Sequence, residues 1–187
     1  MELDILHFFA DLHGTFFDKI VLFITHLGDA GLIWIALALF LLCFKKYRKS
    51  GAGMAVALLF SLLFTNIVLK NSVARQRPFD ADPTLHNLTQ AHDFSFPSGH
   101  TSASIAAALS LLYYHKREGI IALVVAILIS ISRIYVCVHY PTDVLGGVIV
   151  GIVSAVLSVI VVKLISDKMK GKENVWLFQN IYKVIVA

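Results

Sequence analysis

Three polar clusters interrupt a chain that is otherwise strongly apolar, and their residue types suit one chemistry. They are Lys70 followed after six residues by Arg77-Pro78, then Pro97-Ser98-Gly99-His100, then Ser132-Arg133 followed after five residues by His139 and after three more by Asp143. Two histidines, a carboxylate and several fixed cations are what phosphoryl transfer through a phosphohistidine requires. Asp143 stands four residues after His139, about one helical turn. Its carboxylate can take the proton of one imidazole nitrogen and leave the other as a nucleophile. For that pair alone, a helix-capping aspartate beside an interfacial histidine is an equal alternative.

The other clusters add parts to the same reaction. Ser98 suits a helix N-cap, Gly99 allows close backbone approach, and free N–H groups there attract anions. His100, in the first turn, can protonate a leaving oxygen. An ordinary cap with a bystander histidine is the plainer reading of this short run. Lys70, Arg77 and Arg133 supply fixed positive charge for the equatorial oxygens of a transferring phosphoryl group. Arg133 lies in a helix end that otherwise reads apolar, where an unpaired arginine is costly. Arg75 is expected to snorkel to the interface.

The elements that must carry these residues are membrane helices. Hydrophobic residues make up 58% of the chain, charged residues 15%, and the mean hydropathy is +0.79. A water-soluble domain needs more charge than that, so the 187 residues read as a single integral membrane domain. The net charge of +4 and pI near 9.1 do not indicate nucleic acid, because the basic residues form short clusters between apolar runs. The first four residues, Met1-Glu2-Leu3-Asp4, lack the basic stretch of a cleavable signal.

Hydropathy predicts an all-α, polytopic membrane helix bundle with five confident spans, at 32–44, 52–69, 101–114, 119–138 and 144–165. The short ones are expected to extend through their polar flanks, with the third starting at Ser98. Residues 1–28 form either a broken interfacial helix, slightly preferred because acids crowd it, or a sixth span, with Gly14 as the break. Cys43 and Cys137 fall near opposite ends of their spans, too far apart for a disulfide, and are expected to be free and buried.

Lys45, Lys46, Arg48 and Lys49, then Lys116 and Arg117, then Lys163, Lys168, Lys170, Lys172 and Lys183 occupy the connections on one side, which the positive-inside rule makes cytoplasmic. The 70–100 loop and the 139–142 turn then share the extracytoplasmic side, with all three clusters. The tail at 168–187 is expected to lie on the inner leaflet, with 175–185 as an amphipathic stretch.

Other polar residues carry less. Asp80, Asp82, His86, His92 and Asp93 of the 79–96 loop have no helical ligand spacing, so no metal site is expected. His7, His13 and His26 read as interfacial or packing residues; Asp29 could line the same outer face as the clusters, but a helix-start acid is the preferred reading.

In order and spacing the clusters resemble the signature of the type-2 phosphatidic acid phosphatase superfamily: K-x6-RP, PSGH and SR-x5-H-x3-D, matched here at every fixed position. The resemblance implies that His139 is the nucleophile that becomes phosphohistidine, Asp143 its orienting partner and His100 the general acid. It implies that Lys70, Arg77, Ser98, Gly99 and Arg133 form the phosphate cradle, with no metal and no cofactor. The superfamily includes soluble haloperoxidases that hold vanadate in place of phosphate, so vanadate is expected to inhibit.

The implied partner is a lipid phosphate or diphosphate whose tail stays in the bilayer. Undecaprenyl diphosphate is the leading expectation, with phosphatidylglycerophosphate or phosphatidate as the alternative. An anion or proton transporter and a non-catalytic lipid-binding protein are remote readings. The sequence sets no oligomeric state.

Overall fold

Apolar runs broken by short polar turns fold into helices alone in a computed structural model that describes residues 1–169. They are α1 (Glu2–Ala10), α2 (Phe16–Leu27), α3 (Leu32–Leu42), α4 (Arg48–Leu62), α5 (Lys70–Val73), α6 (Pro78–Ala81), α7 (Gly99–Tyr114), α8 (Lys116–Tyr135) and α9 (Pro141–Met169). No strand occurs among the described residues. The expected tail stretch at 175–185 lies outside them.

Helix α7 is the axis of the bundle and packs on α4, α8 and α9. It can do so because most of its buried positions are small, among them Ser102, Ser104, Ala106, Ala107, Ala108 and Ser110. Their hydroxyls are satisfied across helices, Ser102 Oγ by Ser61 Oγ at 2.9 Å and by Thr65 Oγ1 at 2.8 Å, and Ser104 Oγ by Trp34 Nε1 at 2.8 Å. Small residues and interhelical hydroxyl bonds are the usual means of packing helices in a medium as apolar as their own side chains. The outer surface carries Leu32, Leu39, Phe40, Leu59, Ile121, Leu145 and Ile149, all exposed. A continuous apolar exterior of that kind faces lipid.

Among the described residues, three helical stretches are long and apolar enough to cross a membrane, Lys45–Ala81, Lys116–Tyr135 and Pro141–Lys168. A fourth arises if Phe16–Leu27 and Asp29–Leu42, joined across a 41° bend, count as one span. The five expected stretches therefore exist as helices, but length and apolarity qualify fewer of them as spans. Helix α7 has 16 residues, short of the 20 or so that a crossing usually needs. The stretch expected at 32–44 continues a helix that begins at Phe16, so the N-terminal segment is partly the first half of a bent pair. Within it Gly14 does break the chain, at φ 84°. Cys43 corrects another expectation: it is exposed at the C-terminal end of α3, while Cys137 is buried, and both are free.

Two local features aim side chains at one end of the bundle. Between α4 and α5 the helix widens into a π-helix over Leu63–Leu69, which rotates Lys70 relative to a regular α-helix. On α9, a Cβ at Gly147 would lie 2.8 Å from Ser98 O and 2.8 Å from Thr101 Cβ. That close approach draws the start of α9 against the start of α7, where Ser98 N donates to Asp143 O at 3.0 Å. The basic turns meet at the other end: Tyr47 donates to Glu118 at 3.1 Å and its ring packs on His115 at 4.5 Å.

Candidate active site

The three clusters, separate in sequence, converge on one cavity of about 680 Å³. Lys70, Arg77, Gly99, His100, Arg133 and His139 line it, while Ser98 and Asp143 are buried behind the lining. Ser98 is the N-cap of α7, as its sequence position suggests, and accepts from Thr101 N at 3.4 Å. Pro141 opens α9 and brings Asp143 into its first turn. Between them the chain passes Cys137 at φ 58°, a left-handed conformation for a non-glycine residue, which turns His139 inward.

His139 is only 2% exposed, and its Nδ1 stands 3.5 Å from Asp143 Oδ2. That separation is a charge contact, longer than a good hydrogen bond, and Nδ1 has no hydrogen-bond partner. Catalytic hydrogen bonds commonly tighten only in the substrate complex. Asp143 is meanwhile held by other donors: Ser95 Oγ at 2.5 Å and Tyr140 N at 2.9 Å on Oδ2, and Arg75 Nη1 at 2.7 Å on Oδ1. Burial, reinforced by the charges of Arg77 and Arg133, pushes the His139 imidazole down to about 3 against the pull of Asp143. It is therefore neutral at neutral pH, the form in which a ring nitrogen can attack.

The cations are buried and largely spoken for. Arg77 donates from Nη1 to Val138 O at 2.7 Å and from Nε to Asp93 O at 2.8 Å. Lys70 and the Arg77 guanidinium both pair with the Asp93 carboxylate. Partial burial raises the Asp93 carboxyl, but the two cations outweigh it and hold it down at about 2. Arg133 donates to Thr25 Oγ1 at 2.6 Å, and its buried Nε has no partner. A buried guanidinium N–H left without a partner in a cavity lined by Lys70 and Arg77 is the pattern of a site built to meet a further group.

Four residues are corrected or newly found here. Arg75, expected to snorkel, instead clamps Asp143, Thr142 Oγ1 at 2.7 Å and Glu2 at 2.8 Å, and its guanidinium lies 3.8 Å over the Tyr140 ring. A buried carboxylate in the first turn of α9 attracts it more strongly than the interface does. Asp29 does begin a turn, but its carboxylate bonds His26 Nδ1 at 2.8 Å and His100 Nε2 at 3.0 Å, so it is more than a helix-start acid, and His26 is an ion-pair partner. Asp93 was one of several loop acids in the sequence. The only signal available for it was that a cavity with three buried cations needs a counter-charge.

Comparison with known proteins agrees with this geometry. Residues 50–166 match the PAP2 superfamily. An undecaprenyl-diphosphatase from Sulfolobus acidocaldarius is 36% identical over 68% of this chain and 62% of its own length. An undecaprenyl-diphosphatase from Bacillus subtilis is 33% identical over 75% of this chain and 72% of its own. Among solved structures, the transmembrane PAP2-type phosphatidylglycerolphosphate phosphatase from Bacillus subtilis superposes with a TM-score of 0.69 at 29% identity, covering 84% of this chain and 82% of that one. A matched core that contains all three clusters, folded as in a membrane phosphatase, leaves one assignment: the chain belongs to the PAP2 superfamily, as a membrane phosphatase.

Proposed function

We propose that this chain removes a phosphate from a lipid phosphate or diphosphate at the extracytoplasmic face of the membrane, through a phosphohistidine at His139, with undecaprenyl diphosphate as the preferred substrate. The observation that carries the reading is the form of the cavity. Its polar end holds Lys70, Arg77, Arg133, His100 and His139, and its walls continue along Ile35, Ala38, Leu39, Leu58, Leu59 and Leu62. A headgroup phosphate is drawn to the first set while an apolar tail lies against the second. Several proteins similar to this chain are named undecaprenyl-diphosphatases, which supports that lipid, and a relative named phosphatidylglycerophosphatase B keeps phosphatidylglycerophosphate as the alternative.

In this reading His139 Nε2 attacks phosphorus, and the bond to the leaving oxygen breaks as that oxygen takes a proton from His100. Asp143 stabilises the imidazolium formed on His139. Lys70, Arg77, Arg133 and the N-terminus of α7 at Ser98 and Gly99 hold the equatorial oxygens. Water, deprotonated by His100, then attacks the phosphohistidine, releases phosphate and restores both histidines. The clusters gather at one end of the bundle and the turns with Lys45, Lys46, Lys116 and Arg117 at the other, which supports the extracytoplasmic placement.

The test is phosphate release by detergent-purified protein from undecaprenyl diphosphate, phosphatidylglycerophosphate and phosphatidate, each with EDTA and with His139→Ala. Release that survives EDTA and disappears in the variant supports the mechanism, and the fastest lipid identifies the substrate. Turnover by His139→Ala refutes the mechanism, and faster release from either glycerolipid refutes the substrate preference.

A further inference from the structure

The junction between α2 and α3 is built around His100. The residues Gly28, Asp29, Ala30 and Gly31 make the 41° bend, and two of them in succession are left-handed, Ala30 at φ 50° and Gly31 at φ 67°. A left-handed alanine is disfavoured by its Cβ and persists only where the surroundings over-determine it. What the bend accomplishes is contact with the start of α7. Asp29 Oδ1 bonds His100 Nε2 at 3.0 Å, and Oδ2 is fixed by His26 Nδ1 at 2.8 Å. Gly28 leaves room for the imidazole: a Cβ there would fall 2.7 Å from His100 Cδ2 and 2.8 Å from Ile129 Cγ2.

We propose that Asp29 is the positioning residue for the general acid, doing for His100 what Asp143 does for His139. This rests on the phosphohistidine reading above. The carboxylate accepts the Nε2 hydrogen, stabilises the imidazolium and sets the ring plane. Nδ1 then carries the proton that moves to the leaving oxygen as the phosphorus–oxygen bond breaks, and the same nitrogen, now neutral, takes a proton from the water that attacks the phosphoenzyme. His26 keeps the carboxylate from rotating away. Asp29 touches no reacting atom in this scheme and acts only through His100.

A residue that works through the general acid matters in proportion to how badly the leaving group needs a proton. The experiment compares hexadecyl phosphate, which expels an alkoxide, with a nitrophenyl phosphate bearing an alkyl tail of the same length, which expels a stable phenolate. Asp29→Asn is expected to lower kcat on the alkyl ester by about 100-fold, within the usual contribution of general acid catalysis, with KM little changed. On the nitrophenyl ester its kcat stays within about threefold of wild type. Gly28→Ala, which displaces the ring by another route, gives the same signature. In a His100→Ala background neither change has further effect.

Equal losses on both esters, no loss on either, or a full loss in the His100→Ala background would overturn the role of Asp29. His139→Ala, run alongside, separates the two claims. If it turns over either ester the phosphohistidine reading fails, whereas an inactive His139→Ala beside an unselective Asp29→Asn fails only the positioning role.

Discussion

Replacing Asp93 with asparagine should tighten the grip of the site on phosphate-like anions. The carboxylate holds Lys70 and Arg77, two cations proposed to cradle the phosphate, so an incoming anion competes with it. Asparagine keeps the shape and removes the charge, and the bond from Arg77 Nε to the residue-93 carbonyl at 2.8 Å survives the change. The size of the effect follows from the carboxyl, held at about 2 against an ordinary 3.8 by two cations that outweigh its burial penalty. At 1.36 kcal/mol per pH unit that is about 2 kcal/mol of favourable interaction. With 54% of the Asp93 side chain exposed, solvent screening leaves about half. The remaining ~1 kcal/mol corresponds to about a fivefold gain in anion affinity.

Vanadate inhibition of lipid-phosphate turnover is the direct assay, run on wild type, Asp93→Asn and Lys70→Gln at fixed ionic strength. The inhibition constant should fall about fivefold in Asp93→Asn and rise in Lys70→Gln. The difference should not vary across the neutral range: the carboxylate is fully ionised there, and the contact weakens only as pH falls toward about 2. A constant that is unchanged or higher in Asp93→Asn would refute the competition. Asp93 would then be ordering the two cations for the substrate rather than occupying them.

Arg75→Ala should lower kcat about 10- to 100-fold with a smaller effect on KM, because it frees one oxygen of the buried Asp143 and lets the carboxylate drift from His139; Arg75→Lys should recover part of the loss in the same assay. Gly147→Ala should cost about 1–3 kcal/mol of stability, read as a lower thermal midpoint in detergent, since its Cβ meets Ser98 O and Thr101 Cβ at 2.8 Å. Gly99→Ala should leave that midpoint nearly unchanged, because its Cβ has nothing nearer than 3.7 Å, yet it should reduce turnover by intruding on the cavity. Because His139 is held near 3 in the folded protein, protons bind the unfolded chain preferentially as pH falls below the ordinary histidine value of 6.5. Wild type should therefore lose about 1–2 kcal/mol more than His139→Gln between pH 6.5 and 5, seen as a steeper fall in thermal midpoint.

What could be read from the sequence was what is encoded by spacing along one element or one turn. His139 and Asp143 are four apart at the mouth of α9, Ser98 caps α7, and Lys70 and Arg77 flank a single connection. Such local rules picked out residues that the fold gathers around one cavity, and the apolar runs between them located its helices. The rest depends on which distant segments meet. Asp93 reaches Lys70 across 23 residues, Arg75 reaches Asp143 across 68, and Asp29 reaches His100 across 71. A lone acid in a loop carries no periodicity that names its partner. Taken singly, Arg75 and Asp29 resemble an interfacial anchor and a helix-start acid. The π-helix before Lys70 is likewise invisible to hydropathy, which reads Leu63–Leu69 only as the end of one apolar span.

If phosphate passes through His139, a covalent phosphoenzyme forms there and can be trapped. Protein in detergent is mixed with undecaprenyl diphosphate labelled in the terminal phosphate, quenched within the first turnovers in alkali, where phosphohistidine is stable and acyl phosphates are not, and digested for mapping. Label is expected on the peptide containing His139, lost on acid treatment and absent from His139→Ala. Label on a different residue, or sustained turnover by His139→Ala, would contradict a phosphoenzyme at His139.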